Sequence, residues 1–245
     1  MFAVDVIWIR PERAARGPKP KRSRDEIAHV CVRLADAEGL DAVSMRRIAA
    51  ELGTGTASLY RYVTSKDDLF DLMIDLVLGS APLPPPTQYW RDDLSLLASW
   101  KRELVLAHPW MASLSGRPAV GPHGLAAQER GLRAVEGWGL SIDEMIIVVE
   151  SLDAYVQGYA VRELAERAAT ERSGQDLDAW MAAHEAYARS VIDSGRFPLV
   201  ARAWLDADEP HAADRAERGF RHGLDRLLDG YAAGMRRARG LPGRP

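Results

Sequence analysis

The stretch from Ser44 to Val63, Ser-Met-Arg-Arg-Ile-Ala-Ala-Glu-Leu-Gly-Thr-Gly-Thr-Ala-Ser-Leu-Tyr-Arg-Tyr-Val, restricts the possible folds more than any other part of the chain. Two short helices cross closely only where their contact is small and the turn between them is tight. Ala49 supplies the small contact, and Gly53 supplies a residue free to take a positive φ where the first helix must stop. Ile48, Leu52, Leu59 and Val63 then point inward and fix the angle between a helix after Ser44 and a second over about Thr56–Val63. Thr56, Ser58, Tyr60, Arg61 and Tyr62 are left outward, available to a partner. A helix presented this way fits a DNA major groove with its N-terminal residues near base edges. Hydroxyls on Ser44, Thr56, Ser58 and Tyr60 suit phosphates, Arg46 and Lys66 supply charge, and Arg61 suits either a base edge or a phosphate. An ordinary helical hairpin would carry the same Ala and Gly at its crossing.

The rest of the chain has helical periodicity almost throughout, and alternating strand patterns are scarce, so the fold class is all-α. Ser23 and Glu26 form a capping-box pair ahead of the stripe Ile27, Val30, Cys31 and Leu34, which Gly39 ends. Ser65 caps a longer helix with the stripe Leu69, Leu72, Met73, Leu76 and Val77. Pro82, Pro84, Pro85 and Pro86 cannot continue a helix and mark a composition shift. Beyond them, helices are expected near 89–107, 109–115, 122–138, 142–170, 176–193 and 209–238, with a second capping box at Ser141 and Glu144. The layout is an N-terminal extension (1–22), a three-helix helix-turn-helix domain with a connecting helix (23–80), a Pro-rich linker (81–88) and a larger helical bundle (89–245).

A formal net charge of -3 gives no bulk argument for nucleic-acid binding. Local charge is more informative: Arg10, Arg13, Arg16, Lys19, Lys21, Arg22 and Arg24 are opposed only by Glu12. Such a run is either a solvated flexible tail or, beside a DNA reader, an arm adding phosphate or minor-groove contacts. No apolar run approaches the roughly 18 residues of a membrane span, and the start Met1–Ile9 lacks the marks of a signal peptide. Cys31, the single cysteine, suits a reducing cytoplasm, and its place on a buried stripe reads as a structural thiol.

Residues from about Arg24 to Leu78 resemble the N-terminal domain of the TetR family of repressors. The specific part is Ala42-Val-Ser-Met-Arg-Arg-Ile-Ala-Ala-Glu-Leu-Gly53 followed by Ser58-Leu-Tyr-Arg-Tyr-Val-Thr-Ser-Lys-Asp-Asp-Leu69. Position by position, the resemblance implies DNA contacts at Arg46, Thr56, Ala57, Ser58, Tyr60, Arg61, Tyr62 and Lys66. It also implies homodimers on palindromic operators of double-stranded DNA, released when a small-molecule effector binds the C-terminal domain. His108-Pro-Trp, Leu114-Ser-Gly-Arg-Pro118 and Gly219-Phe-Arg-His-Gly-Leu-Asp-Arg-Leu-Leu-Asp229 are similar to the tetracycline-repressor subgroup, in which the Arg-Pro turn borders the drug pocket. That would put Arg117 and Pro118 beside a ligand. Ser113 and Arg162 stand where that subgroup holds a drug-bound magnesium, and a neutral hydroxyl and a cation are poor Mg²⁺ ligands. Tetracycline–magnesium sensing is not expected.

The C-terminal half is rich in large amphipathic side chains: Trp100, Trp110, Met111, Trp138, Met145, Tyr155, Tyr159 and Trp180. Ligand sites are mostly apolar with a few placed polar groups, so several of these are expected to line a cavity of roughly a few hundred Å³ between bundle helices. Taken singly, each also reads as plain core. The helices near 142–170 and 209–238 are candidates for a dimer seam, with Ile146, Val149, Tyr155, Val156 and Tyr159 divided between core and partner. No zinc, thiol-redox, phosphate-loop or nucleophile-elbow motif is present, and no catalytic residue or cofactor is expected. His211 with Asp214 and His222 with Asp225 have the spacing of half a metal site, but also that of solvated polar pairs. A helical enzyme and a DNA binder without inducible release are the alternatives to a ligand-responsive repressor.

Overall fold

A computed structural model describes residues 6–11, 22–173, 177–207 and 214–238, without side-chain detail at 173–181 and 237–238. The described residues form helices joined by turns and extended segments: α1 (Arg24–Glu38), α2 (Met45–Glu51), α3 (Thr56–Leu59), α4 (Lys66–Ser80), α5 (Trp90–Ala107), α6 (Trp110–Ser113), α7 (Pro122–Val135), α8 (Ile142–Ser173), α9 (Leu177–Asp193), α10 (Pro198–Leu205) and α11 (Arg215–Ala238). A single 3₁₀ turn at Leu40–Ala42 separates α1 from α2.

The helix starts follow the expected chemistry. Ser23 Oγ accepts from the Glu26 N–H while the Glu26 carboxylate accepts from the Ser23 N–H, a complete capping box. The same reciprocal pair forms at Ser141 and Glu144. Ser44 and Ser65 cap α2 and α4 through the Arg47 and Asp68 N–H groups. Each satisfies donors that a helix end leaves orphaned. Elements beyond the prolines also differ from expectation. α10 is not expected from the sequence; it is an eight-residue helix opened by Pro198, whose fixed φ suits a first helical position and whose missing N–H leaves one orphan donor fewer. The helix over 122–138 stops at Val135, ahead of Gly137 in the left-handed region at φ 75.

The chain divides into two compact units, Met1–Gln157 with Met235–Pro245, and Gly158–Gly234. In the first, α4 packs on α1 and α7, and α7 also packs on α5. Its core includes Ile27, Cys31, Ile48, Leu59, Leu69, Met73, Leu94 and Val135. The compact unit therefore runs through the Pro-rich segment rather than ending there, because α4 finds its apolar cover on α7 beyond the prolines. Asp93, buried on α5, accepts from the Thr87 N–H and hydroxyl and from Arg130 of α7, tying the extended segment to two helices. Burial alone would push the Asp93 carboxyl up; the hydrogen bonds from Arg130 and Thr87 outweigh it and hold the group below its ordinary range. Lys101 of α5 pairs with Asp153 of α8, and α8 buries Val148, Leu152 and Val156 at a four-residue spacing.

In the second unit, Phe220, Leu224 and Leu228 of α11 are buried, and the Tyr159 ring meets Phe220 edge-on at 5.7 Å. The Tyr159 hydroxyl donates to the Gly219 carbonyl at 3.1 Å. α10 packs on α9, with Leu199, Val200, Trp204 and Leu205 left exposed.

Candidate nucleic-acid interface

The residues from Ser44 to Val63 separate cleanly into two faces. Ile48, Ala49, Leu52, Leu59 and Val63 are buried, as the inward pattern requires. Gly53 takes φ 61 and lets the chain turn, so that the Thr54 N–H reaches back to the Ala49 carbonyl at 2.9 Å. α3 is shorter than expected: the α-helix covers Thr56–Leu59 and tight turns carry it on, with the Tyr62 and Val63 N–H groups both donating to the Leu59 carbonyl.

On the outer face, Ser44, Arg46, Thr56, Ala57, Tyr60, Arg61 and Lys66 are exposed, and Ser58 and Tyr62 are half-buried. Tyr60 is 53% exposed, a large ring in water with nothing in the fold requiring it there. The neighbouring Arg47 is committed elsewhere: it pairs with Glu38 at 2.9 Å and Glu51 at 3.6 Å, bracing α2 against the end of α1. Arg46 makes no such pair among the described residues. Lys66 lies 5.4 Å from the centre of the Phe70 ring, and Arg61 reaches Ser58 at 3.4 Å.

Of the basic extension expected over 1–22, residues 6–11 and Arg22 are described, and they make contacts within the reading domain. Ile7 is fully buried. Arg10 donates to Asp68 Oδ1 at 2.6 Å and to Thr64 Oγ1 at 3.1 Å. Arg22 donates to the Leu52 carbonyl at 2.6 Å, inside the turn between α2 and α3. Arg24 donates to the Ile7, Arg10 and Tyr62 carbonyls. Three cations of the run, Arg10, Arg22 and Arg24, are thus spent as struts within the reading domain. Arg13, Arg16, Lys19 and Lys21 lie outside the described residues. The signal in the sequence is the apolar stretch Val6–Ile9, whose Ile7 is buried.

The residues expected at a ligand pocket are spread out. Trp100 is buried on α5 and Met111 on α6. Trp110, also buried, donates its indole N–H to Asp36 Oδ1 of α1 at 2.7 Å, with His108 on the same oxygen at 2.8 Å. Arg117 spans Asp67 and Asp71 of α4 at 2.8 and 2.9 Å. Burial alone would lower the Arg117 pKa; the hydrogen bonds to Asp71 and Asp67 outweigh it and keep the guanidinium charged. Pro118 lines a narrow gap, too tight for a water molecule, together with Trp8, Asp71, Ile74, Asp75 and Ala119–Gly121. Trp138 meets Trp90 edge-on at 6.1 Å, Tyr155 is half-buried, and Tyr159 belongs to the second unit. Trp180 falls among the residues without described side chains. Asp75, which no sequence motif singles out, caps α7: its Oδ1 accepts from the His123 and Gly124 N–H groups at 2.8 and 3.1 Å, and its Oδ2 meets His123 Nδ1 at 2.9 Å. Arg162 is paired with Glu166 at 3.0 Å, Ser113 is exposed, and His211 is not among the described residues. Among the described residues no group of three or more His, Cys, Asp or Glu side chains gathers as a metal site, and no helix is long and apolar enough to cross a membrane.

Comparison with known proteins agrees with this geometry. Residues 27–73 match the bacterial regulatory proteins of the tetR family, and residues 81–235 match the tetracyclin repressor-like C-terminal domain. The chain is 37% identical over 241 residues to the HTH-type transcriptional repressor DrrR1 of Streptomyces coeruleorubidus, covering 97% of this chain and 87% of that protein. It is 26% identical to the class E tetracycline repressor protein of Escherichia coli, covering 86% of this chain and 91% of that protein. Among solved structures, the Streptomyces coelicolor TetR family protein ActR in complex with actinorhodin superimposes with a TM-score of 0.69 at 29% identity, covering 87% of this chain and 97% of that one. With both halves matched and a buried row holding out an exposed helix face, the chain belongs to the TetR family and is a DNA-binding transcriptional regulator.

Proposed function

We propose that this protein is a homodimeric cytoplasmic repressor, with no catalytic role, that leaves a palindromic operator when a small organic effector binds its C-terminal half. The observation that carries the reading is the outer face of Ser44–Lys66: polar and aromatic side chains held exposed above the buried row Ile48, Leu52, Leu59 and Val63. Thr56, Ala57, Ser58, Tyr60 and Arg61 meet base edges and nearby phosphates, and Ser44, Arg46, Tyr62 and Lys66 meet the backbone on either side. One short reading helix touches few base pairs, so two copies on a palindrome supply the affinity that a specific site requires. On α8, Ile147 and Ala154 are exposed at heptad spacing, and Val161 is exposed seven residues further on, which supports α8 as part of the dimer seam.

The effector is an organic molecule held by apolar and aromatic side chains of the C-terminal half, a reading supported by the relative ActR having been solved in complex with actinorhodin. Its signal passes through α4, which joins the reading domain to the Pro-rich segment and carries the Asp67, Asp71 and Asp75 contacts to Arg117 and His123. A tilt of α4 changes the separation of the two reading helices, and a coupling of about 1–3 kcal/mol makes a switch of 5- to 150-fold. The test is a titration of the purified protein on its own upstream intergenic DNA, with Tyr60→Ala and Arg61→Ala beside the wild type. Each variant is expected to lose about tenfold or more, the scale of a base or close backbone contact. Wild-type binding no tighter than that of the variants, at the level of unrelated DNA, would end the assignment.

A further inference from the structure

The segment Val6–Pro11 touches α1, α4, the Thr64 corner and the residues leading into α7. Ile7 is fully buried. Trp8 sits against α4 and the residues leading into α7, around a narrow gap shared with Asp71, Ile74, Asp75 and Pro118–Gly121. The fit there is close enough that a Cβ at Gly121 would run into both the Trp8 ring and the Asp75 carboxylate. Arg10 then holds Thr64 and Asp68, at the corner where the reading helix gives way to α4. Both partners of the Arg10–Asp68 pair are largely buried, with side chains 15% and 9% exposed. Arg24 closes the arrangement: one nitrogen, Nη1, donates to the Ile7 and Arg10 carbonyls, and Nε donates to the Tyr62 carbonyl at the end of the reading face.

These contacts have a direction. Asp68 Oδ2 accepts from the Thr64 N–H at 2.7 Å and the Thr64 hydroxyl at 2.9 Å, so it fixes the backbone between Tyr62 and α4. Arg10 sits on the other oxygen of the same carboxylate. A carboxylate held from both sides keeps one rotamer, and the backbone it caps keeps one course. Trp8 anchors the strap that carries Arg10, and the far side of that anchor is the Pro118–Gly121 segment.

We propose that Val6–Pro11 is a positioning strap for the reading helix, with Trp8 as its anchor, Arg10 and Arg24 as its clasps, and the corner Tyr62–Asp68 as the element it fixes. The strap touches no DNA. It acts by keeping the reading face at one angle to α4, so its seating and operator binding are linked, and each strengthens the other. This rests on the proposed DNA-binding role of the outer face.

The full-length protein, Trp8→Ala, Trp8→Phe and Arg10→Gln are compared in two measurements. The first is hydrogen exchange without DNA, in which Trp8→Ala is expected to speed exchange of the Thr64 amide at least tenfold and Trp8→Phe to restore it. The second is affinity for the upstream DNA across a salt series. Trp8→Ala and Arg10→Gln are expected to lose about tenfold, inside the 5- to 150-fold span of coupled sites, with the slope of log affinity against log salt unchanged. A slope shallower by about 0.9 in Arg10→Gln would make Arg10 a phosphate contact and overturn the proposal. So would unchanged affinity in both variants, or an unchanged Thr64 exchange rate in Trp8→Ala. If the wild type binds no DNA, the regulator reading falls, and the exchange measurement alone decides whether the strap holds the corner.

Discussion

Asp75 is the sharpest place to test how the reading domain is tied to the residues beyond the prolines. It lies on α4 with its side chain 10% exposed, and it serves as the N-terminal cap of α7 from a different helix. Gly121, at the usual cap position, has no side chain to do this, and a Cβ there would strike the Asp75 carboxylate. Asp75→Ala leaves the His123 and Gly124 N–H groups unpaired. Buried orphan donors cost about 1–3 kcal/mol each, and a lost cap about 0.5–2 kcal/mol by itself. Gly124 is buried while His123 is exposed, so water recovers part of the second loss. The expected destabilisation is about 3 kcal/mol, or roughly 6–12 °C in Tm at about 2–4 °C per kcal/mol for a chain of this size. Asp75→Asn keeps an acceptor oxygen for both N–H groups and offers an amide donor to His123 Nδ1, so it should cost only about 1 kcal/mol. Scanning calorimetry of the three proteins at one pH decides the matter. A Tm for Asp75→Ala within a degree or two of the wild type, or an Asn variant as unstable as the Ala variant, would refute the cap.

Cys31 is fully buried and its thiol is pushed up to about 12 by that burial, so a disulfide reagent at pH 8 should label the native protein only at the rate at which it opens, and label it at once in denaturant. Asp93, held below the ordinary carboxylate value of 3.8, contributes stability that is full above about pH 4 and is lost as pH falls through its lower folded value. Asp93→Asn should therefore flatten the acid limb of a denaturation series below pH 4, and an unchanged limb would remove that role from Asp93. Gly53→Val places a β-branched residue at φ 61 with nothing within 4 Å of the new Cβ, so its cost is backbone strain alone. That is about 1–2 kcal/mol, read as a lower urea midpoint with weaker DNA binding.

The reading motif was legible because its constraints are local. Ala49 and Gly53 follow from a close crossing and a tight turn, the caps Ser23 and Ser65 from orphaned N–H groups, and the buried row from a 3.6-residue period. What was not legible depends on partners distant in the chain. The pairs Arg10–Asp68, Arg117–Asp67 and Asp75–His123 join residues 58, 50 and 48 positions apart, and no period or spacing announces them. Arg22 and Arg24 looked like part of a charged tail because a cation near a run of cations carries no mark of the carbonyl it will meet. The same blindness affects Arg117, whose place beside a ligand was carried by resemblance, while its contacts are with α4.

One pattern on α4 was visible in the sequence and acquires meaning only with its partners. Asp67, Asp71 and Asp75 recur every four residues, so they stand on one face of the helix. Like charges at that spacing repel and should weaken α4 unless cations meet them. Their partners come from beyond the Pro-rich segment: the Arg117 guanidinium bridges the first two, and the N–H and ring Nδ1 of His123 meet the third. Asp68, one position round from Asp67, takes Arg10 from the opposite end of the chain. The helix that leads out of the reading domain is thus held by charge from both sides rather than by apolar packing alone. Apolar contacts tolerate sliding, whereas an ion pair loses its hydrogen-bond geometry over a displacement of about an ångström. In the proposed mechanism, that is the property wanted of the element that transmits an effector's arrival: moving Arg117 by a short distance strains two carboxylates on α4 at once, and α4 must follow or lose both pairs.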